Sequence, residues 1–229
     1  MTTLTYLGHS AFLLEADGKT VVVDPFLNDN PRASHGADDI RPGTILLTHA
    51  HGDHLGDTVS IAKRTGAKVI ANAEIGWWLE SQGIKDAVPA NHGGTVAFDG
   101  GTVKFVPAWH TSSYRQGDES IAAGVPSGLV VRFGGKTVYF AGDTCLFGDM
   151  KLIGEEGLDV AVLPIGDHFT MGLKDAARAA GWLGAKTVIP CHYNTFPPIE
   201  QDPTEFKRLV EQHPNMTCVV LDPGAVLDL

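Results

Sequence analysis

The chain has 229 residues, 43% hydrophobic and 19% charged, enough to bury a substantial core within a single enzyme-sized domain covering residues 1–229. A formal charge of −10, with no cluster of Lys and Arg, argues against nucleic acid as a partner. No apolar run is long enough to span a bilayer, and the first nine residues lack the basic and continuous apolar stretches of an export signal. Cys145, Cys191 and Cys218, odd in number and far apart, read as reduced thiols of a cytoplasmic chain.

Short apolar runs predict strands at 4–7, 11–15, 20–24, 44–48 and 67–71, then at 102–107, 128–133, 137–141, 158–163, 187–190 and 217–221. Helices are expected near 57–65, 73–82, 146–154, 172–183 and 203–212, the fourth being Ala-rich from Asp175 and closing at Gly184. This mixture predicts helices layered on sheets, an α/β or α+β plan. Three polar, Gly/Pro-rich stretches, 25–43, 108–127 and 193–203, are long for plain connections and are expected to line a site.

The most informative segment follows the strand at 44–48. It reads His49-Ala50-His51-Gly52-Asp53-His54, three imidazoles and a carboxylate in six positions. Imidazole nitrogen and carboxylate oxygen are the donors that suit zinc and neighbouring divalent ions. The bland alternative is a solvated His-rich loop. If the backbone stays extended past the strand, His49, His51 and Asp53 share a face, while His54 points away toward a second ion. Asp57 is expected to cap the next helix, closed by Gly66, with Val59 and Ala62 toward the core.

Three further residues stand at strand ends. His110 follows Val103-Lys-Phe-Val-Pro-Ala-Trp109, Asp143 follows Thr137-Val-Tyr-Phe-Ala-Gly142, and His192 follows Thr187-Val-Ile-Pro-Cys191. Taken singly, each is an ordinary edge or turn residue. Together with the hexamer they make seven candidate ligands, and Gly142 would let the backbone approach an ion closely.

This order of residues resembles the metallo-β-lactamase fold superfamily over nearly the whole chain. Tyr6-Leu-Gly-His9-Ser10, Asp24-Pro25-Phe26, Ala141-Gly-Asp143-Thr144, Ile165-Gly-Asp-His-Phe-Thr-Met-Gly172 and His192-Tyr-Asn-Thr-Phe-Pro-Pro-Ile199 narrow the resemblance further. They look like a branch labelled only as metal-dependent hydrolases, near the ascorbate-6-phosphate lactonase-like proteins. The resemblance implies a four-layer αββα sandwich with two divalent ions at one edge, between the sheets. His49, His51 and His110 would hold the first ion, Asp53, His54 and His192 the second, and Asp143 would bridge. Zinc is the first candidate ion, with manganese, nickel and iron also suited to these donors.

The implied activity is hydrolysis of a small-molecule ester, lactone or phosphodiester by a hydroxide bridging the ions. Asp53 would orient that hydroxide and take its proton. An iron-dependent sulfur or persulfide dioxygenase and a non-catalytic metal-binding protein are the alternatives, and homo-oligomerisation is left open. Asp24 is the candidate for fixing a ligand imidazole, against a plain turn role before Pro25. His9 is a candidate to line the pocket or donate to substrate, against a structural hydrogen bond, and His168 is a candidate general acid, since imidazole titrates in the useful range. Tyr114 and Arg115 would meet an anionic substrate. Cys145 and Cys191 are expected to be buried, and His35, His92 and His213 solvated.

Overall fold

A computed structural model describes residues 1–229. The first half contains β1 (Thr3–Gly8), β2 (Ala11–Ala16), β3 (Lys19–Val23), β4 (Thr44–Leu46), α1 (Gly52–Leu55) and α2 (Thr58–Thr65). It continues with β5 (Lys68–Asn72), α3 (Ala73–Ser81), β6 (Ala87–Ala90), β7 (Thr95–Phe98) and β8 (Gly101–Pro107). A hairpin of β9 (Ser113–Gln116) and β10 (Glu119–Ala122) leads into β11 (Ser127–Phe133) and β12 (Lys136–Phe140). The remainder is α4 (Met150–Gly154), β13 (Val160–Pro164), α5 (Leu173–Leu183), β14 (Thr187–Cys191), α6 (Pro203–Val210), β15 (Thr217–Cys218) and β16 (Val226–Asp228).

Two seven-stranded mixed sheets face each other, in the orders β16-β1-β2-β3-β4-β5-β6 and β15-β14-β13-β12-β11-β8-β7. The period-two alternation of each strand makes this possible. Val21 and Val23 of β3 point into the core between the sheets, where Leu4, Phe12, Phe105 and Leu129 also lie. Val22 points outward, with Ile45 and Val69, against Ile61 of α2 and Leu79 of α3. In the second sheet, Val160 and Val162 face inward. Ala161 and Leu163 face outward, toward Ala176 and Ala180 of α5 and Phe206 of α6. Each fully buried aliphatic side chain is worth about 1.5–3 kcal/mol, so strands buried on both faces hold the four αββα layers together.

β3 to β6 run parallel, as do β12 to β15. The carboxyl ends of β4, β8, β12 and β14 open on one edge of the sandwich, and the expected ligands follow these strands. Three expectations about elements need correction. The stretch 108–127 is not all loop, since it carries the β9–β10 hairpin. β6, holding Pro89, sits at a sheet edge, where proline is tolerated. The helix expected at 146–154 begins only at Met150, and of 217–221 only Thr217 and Cys218 pair. β6, β7 and β16 were not anticipated, being short and weakly alternating.

Candidate metal centre

Extended backbone after β4 ends sooner than the sequence pattern suggests. His51 caps α1 at φ −61° and ψ 148°, and Gly52–Leu55 is one helical turn. Each helical residue rotates about 100° from the last, so Asp53 leaves the face shared by His49 and His51. Asp53 joins His54 instead. Gly56 ends the turn at φ +39°, where a Cβ would lie 2.5 Å from Phe26 Cα. Asp57 does not cap α2 with its side chain. Its Oδ2 accepts the backbone N–H groups of Leu27 and Asn28, both at 2.9 Å, pinning the loop after Asp24-Pro25-Phe26.

The candidate ligands gather in two groups, within each of which the ligating atoms lie within 4.8 Å of one another. His49, His51, His110 and Asp143 form the first; His9, Asp53, His54 and His192 form the second. His49 Nε2 and His51 Nδ1 converge to 3.0 Å. Asp143 stands between the groups: Oδ2 is 3.5 Å from His110 Nε2, 4.0 Å from His49 Nε2 and 3.2 Å from His192 Nε2, while Oδ1 is 3.2 Å from His54 Nε2. Gly142, at φ +61°, serves a different approach from the one expected. A Cβ there would meet Thr48 Cβ at 2.8 Å, so glycine lets the β12 end pack against the β4 end.

The supports around these residues are hydrogen-bonded on several sides. Asp24 accepts from the Thr48 N–H at 2.9 Å and the Thr48 hydroxyl at 2.6 Å, and its Oδ2 is 2.8 Å from His54 Nδ1. That fixes the His54 ring with Nε2 inward, the duty expected of Asp24. His9 is fully buried, so of its two readings the structural hydrogen bond holds and the pocket-lining role does not. Its Nε2 is 3.1 Å from Asp53 Oδ2 and its Nδ1 is 2.8 Å from Thr195 Oγ1. The His192 N–H donates to the His9 carbonyl at 2.9 Å and the Ser127 N–H to the Thr48 carbonyl at 3.0 Å, tying the two sheets at this edge. Thr144 Oγ1 accepts from the Trp109 N–H at 3.0 Å and holds the residue before His110. Thr48, Thr144 and Thr195 were not singled out from sequence. Their only signal there is a hydroxyl within three positions of an expected ligand.

Charge is divided between the groups. Burial pushes His49 well below the ordinary imidazole value and lowers His51 and His110. Burial also opposes charge on His54 and His192, but Asp143 outweighs it, with help from Asp24 for His54 and Asp53 for His192. His54 is lifted well above its ordinary value and His192 to about 9. Burial would raise Asp53 and Asp143; the surrounding imidazoles instead hold both well below the usual carboxylate range. The centre therefore favours positive charge between buried carboxylates.

Four buried polar atoms here have no hydrogen-bond partner: His54 Nε2, both ring nitrogens of His192, and Asp143 Oδ1. Buried polar atoms are rarely left so. His54 Nε2 and Asp143 Oδ1 are near neighbours without hydrogen-bond alignment, as atoms facing a shared cation would be. All-imidazole and carboxylate donors without thiolate fit divalent zinc, manganese, nickel or iron.

Beside His51 opens a cleft of about 600 Å³, walled by Phe26, Leu55, Trp78, Tyr114 and Arg115. The Trp78 and Tyr114 rings pack with centroids 4.8 Å apart. The stretch from 108 to 127 thus lines the site as expected, through its hairpin. A larger open hollow of about 830 Å³ around Arg32, Asn194 and Glu205 includes none of the candidate ligands. His168 belongs to neither group; it is exposed, with its ring edge-on to Phe169. Cys191 is buried but Cys145 is exposed, contrary to expectation. His35 is exposed, whereas His92 and His213 are half-buried beside the carbonyls of Pro126 and Ala177.

Residues 19–193 match the family model of the beta-lactamase superfamily domain. A UPF0173 metal-dependent hydrolase of Thermus thermophilus is 52% identical over 235 residues, covering 100% of both chains. The structure of Igni18, a metallo hydrolase from Ignicoccus hospitalis, superposes with a TM-score of 0.89 at 40% identity, over 99% of this chain and 97% of its own. CmlA, a diiron β-hydroxylase from Streptomyces venezuelae, gives a TM-score of 0.75 at 19% identity, over 100% of this chain and 54% of its own, a likeness of fold alone. Fold, ligand order and near-complete alignment agree: the chain belongs to the β-lactamase superfamily, in its branch of metal-dependent hydrolases.

Proposed function

We propose that the chain is a dinuclear hydrolase of small esters, lactones or phosphodiesters, with zinc as the first candidate ion. The observation that carries this reading is Asp143, whose carboxylate meets imidazoles of both groups, Oδ2 beside His49, His110 and His192 and Oδ1 beside His54. Two divalent ions held there supply Lewis acidity and a hydroxide nucleophile near neutral pH. The chain's own part is positional. His49, His51 and His110 would hold one ion, Asp53, His54 and His192 the other, and Asp143 both. Asp53 is the group's partly exposed member, at 29%, and is placed to orient a nucleophile and accept its proton. The cleft beside His51 has the size of a small-molecule site, with aromatic walls for an apolar substrate body. Arg115 is its one Lys or Arg, and it would face an anionic group. Three free thiols fit a reducing, cytoplasmic setting.

Elemental analysis of protein purified without added metal, followed by a hydrolysis panel with each ion found, tests the reading. About two ions per chain are expected, falling to about one in His54→Ala or His192→Ala. Saturation at one ion, unchanged in those variants, would remove the dinuclear assignment. Oxygen consumption on a persulfide with iron as the only activating ion would move the chemistry to oxidation.

A further inference from the structure

His9 lies among the four residues of the second group, yet its two ring nitrogens are already engaged. A carboxylate is ionised near neutral pH, so Asp53 Oδ2 can only accept. The 3.1 Å contact therefore needs the proton on His9 Nε2. Nδ1 is then bare and accepts the Thr195 hydroxyl at 2.8 Å. The neutral ring has one donor and one acceptor, and both are used. A protonated Nε2 has no lone pair to give to an ion.

The surroundings hold the ring in this role. Gly8, at φ +112°, allows the turn, since a Cβ there would meet the Arg32 carbonyl oxygen at 2.7 Å. His9 itself adopts φ +59°. Its carbonyl accepts from the His192 N–H at 2.9 Å and the Tyr6 hydroxyl at 3.2 Å. The ring lies against His192, with centroids 4.1 Å apart, and is flanked by Phe26 and Phe196 at 5.8 and 5.6 Å. No path leads from this ring to the cleft, because none of its surface is exposed.

We infer that His9 is a positioning residue for Asp53: Nε2–H fixes the rotation of the carboxylate, Thr195 holds the other edge of the ring, and His9 is not a ligand. Two adjacent ligands of one helical turn then have separate holders. Asp24 orients His54, and His9 orients Asp53. The inference rests on the dinuclear reading only for which ion Asp53 serves. A hydrogen-bonded outer partner of a ligand carries roughly 10–100-fold in metal affinity, and that is the effect expected here.

Two-bond ¹H–¹⁵N spectra of the histidine rings, recorded on the chain before and after Zn²⁺ addition, test the tautomer directly. His9 should be neutral with its proton on Nε2 in both states. Zn²⁺ titration against a chromophoric chelator then compares wild type with His9→Ala, His9→Gln and Thr195→Val. His9→Ala should weaken the second equivalent of Zn²⁺ by about 10–100-fold and leave the first unchanged. His9→Gln, whose amide N–H can still reach Asp53, should recover most of that loss. Thr195→Val keeps the ring and its Nε2–H toward Asp53, and should show a smaller loss.

Loss of the Nε2 proton on adding Zn²⁺ would make His9 a ligand and overturn the inference. So would a His9→Ala affinity within two-fold of wild type, or a His9→Gln variant no better than His9→Ala. A wild-type chain that binds one ion counts against the dinuclear reading alone, because the ring spectrum still reports whether His9 donates to Asp53.

Discussion

Asp143 and Asp53 are alike in a motif count but not in surroundings. Asp143 is almost fully buried and meets imidazoles of both groups, while Asp53 touches only the second group and is partly exposed. Asp143→Ala would leave two cations with less negative charge between them in a site of low dielectric, so at least one ion and nearly all activity should be lost. Asp53→Asn keeps shape and one oxygen donor but removes charge and proton acceptance. It should retain more metal than Asp143→Ala while losing about 10²-fold or more in turnover. Metal content and turnover of both variants under the same limiting metal decide this, and near-normal turnover in Asp53→Asn would reduce Asp53 to a ligand. The seven candidate ligands were legible in the sequence because His49 to His54 form a dense hexamer, which gave weight to His110, Asp143 and His192 at later strand ends. The partners that aim them were not. His9 and Thr195 are 186 positions apart and meet only through the fold.

At the scale of elements, the centre depends on a helical turn too short to announce itself. Gly52–Leu55 has four residues, fewer than a hydrophobic period needs, so extended alternation was the natural reading and it misplaced Asp53. The longer elements α2 and α5 were readable from their closing glycines, Gly66 and Gly184. The hairpin β9–β10 was hidden because its strands are four residues each and mostly exposed. What ends the ligand turn is Gly56, pressed on the backbone of Pro25 and Phe26. Gly56→Ala should cost about 2–4 kcal/mol, combining an unfavourable φ with a contact that backbone cannot easily relieve. Gly18→Ala supplies the comparison, since Gly18 sits at φ +73° with nothing within 4 Å and should lose only about 1 kcal/mol. Urea unfolding of the two variants measures the difference. Equal losses would mean that the Phe26 loop yields and that Gly56 does not fix the turn.

Over the whole molecule, the candidate ligands join two halves. His49 to His54 follow β4 of one sheet, and His110, Asp143 and His192 follow strands of the other, so the centre acts as a clasp at one edge of the sandwich. The sandwich itself was legible, since its strands alternate or run continuously apolar; that imidazoles carried by both sheets close on the buried Asp143 is visible only from the packed geometry. His192 is raised from 6.5 to about 9, and His54 is raised as well. A raised folded-state value means that the folded chain binds more protons than the unfolded one between these limits. The stabilisation is therefore complete below about 6.5 and is lost as pH rises through about 9. For the nearly buried His192 this corresponds to roughly 3 kcal/mol. His9 has the opposite sign: burial lowers it to about 4, so its effect is a loss of stability as pH falls from 6.5 toward 4. Chelator-treated protein should thus be most stable near pH 6.5 and lose a few kcal/mol by pH 9. Bound ions would replace the protons on His54 and His192, adding stability in proportion to the logarithm of free ion over its dissociation constant. The Zn²⁺-loaded chain should then show a flat profile over the same alkaline range. Urea midpoints of both forms at pH 6.5, 7.5 and 9 test this, and a chelated chain as stable at pH 9 as at 6.5 would mean that His54 and His192 do not hold protons in the place of the ions.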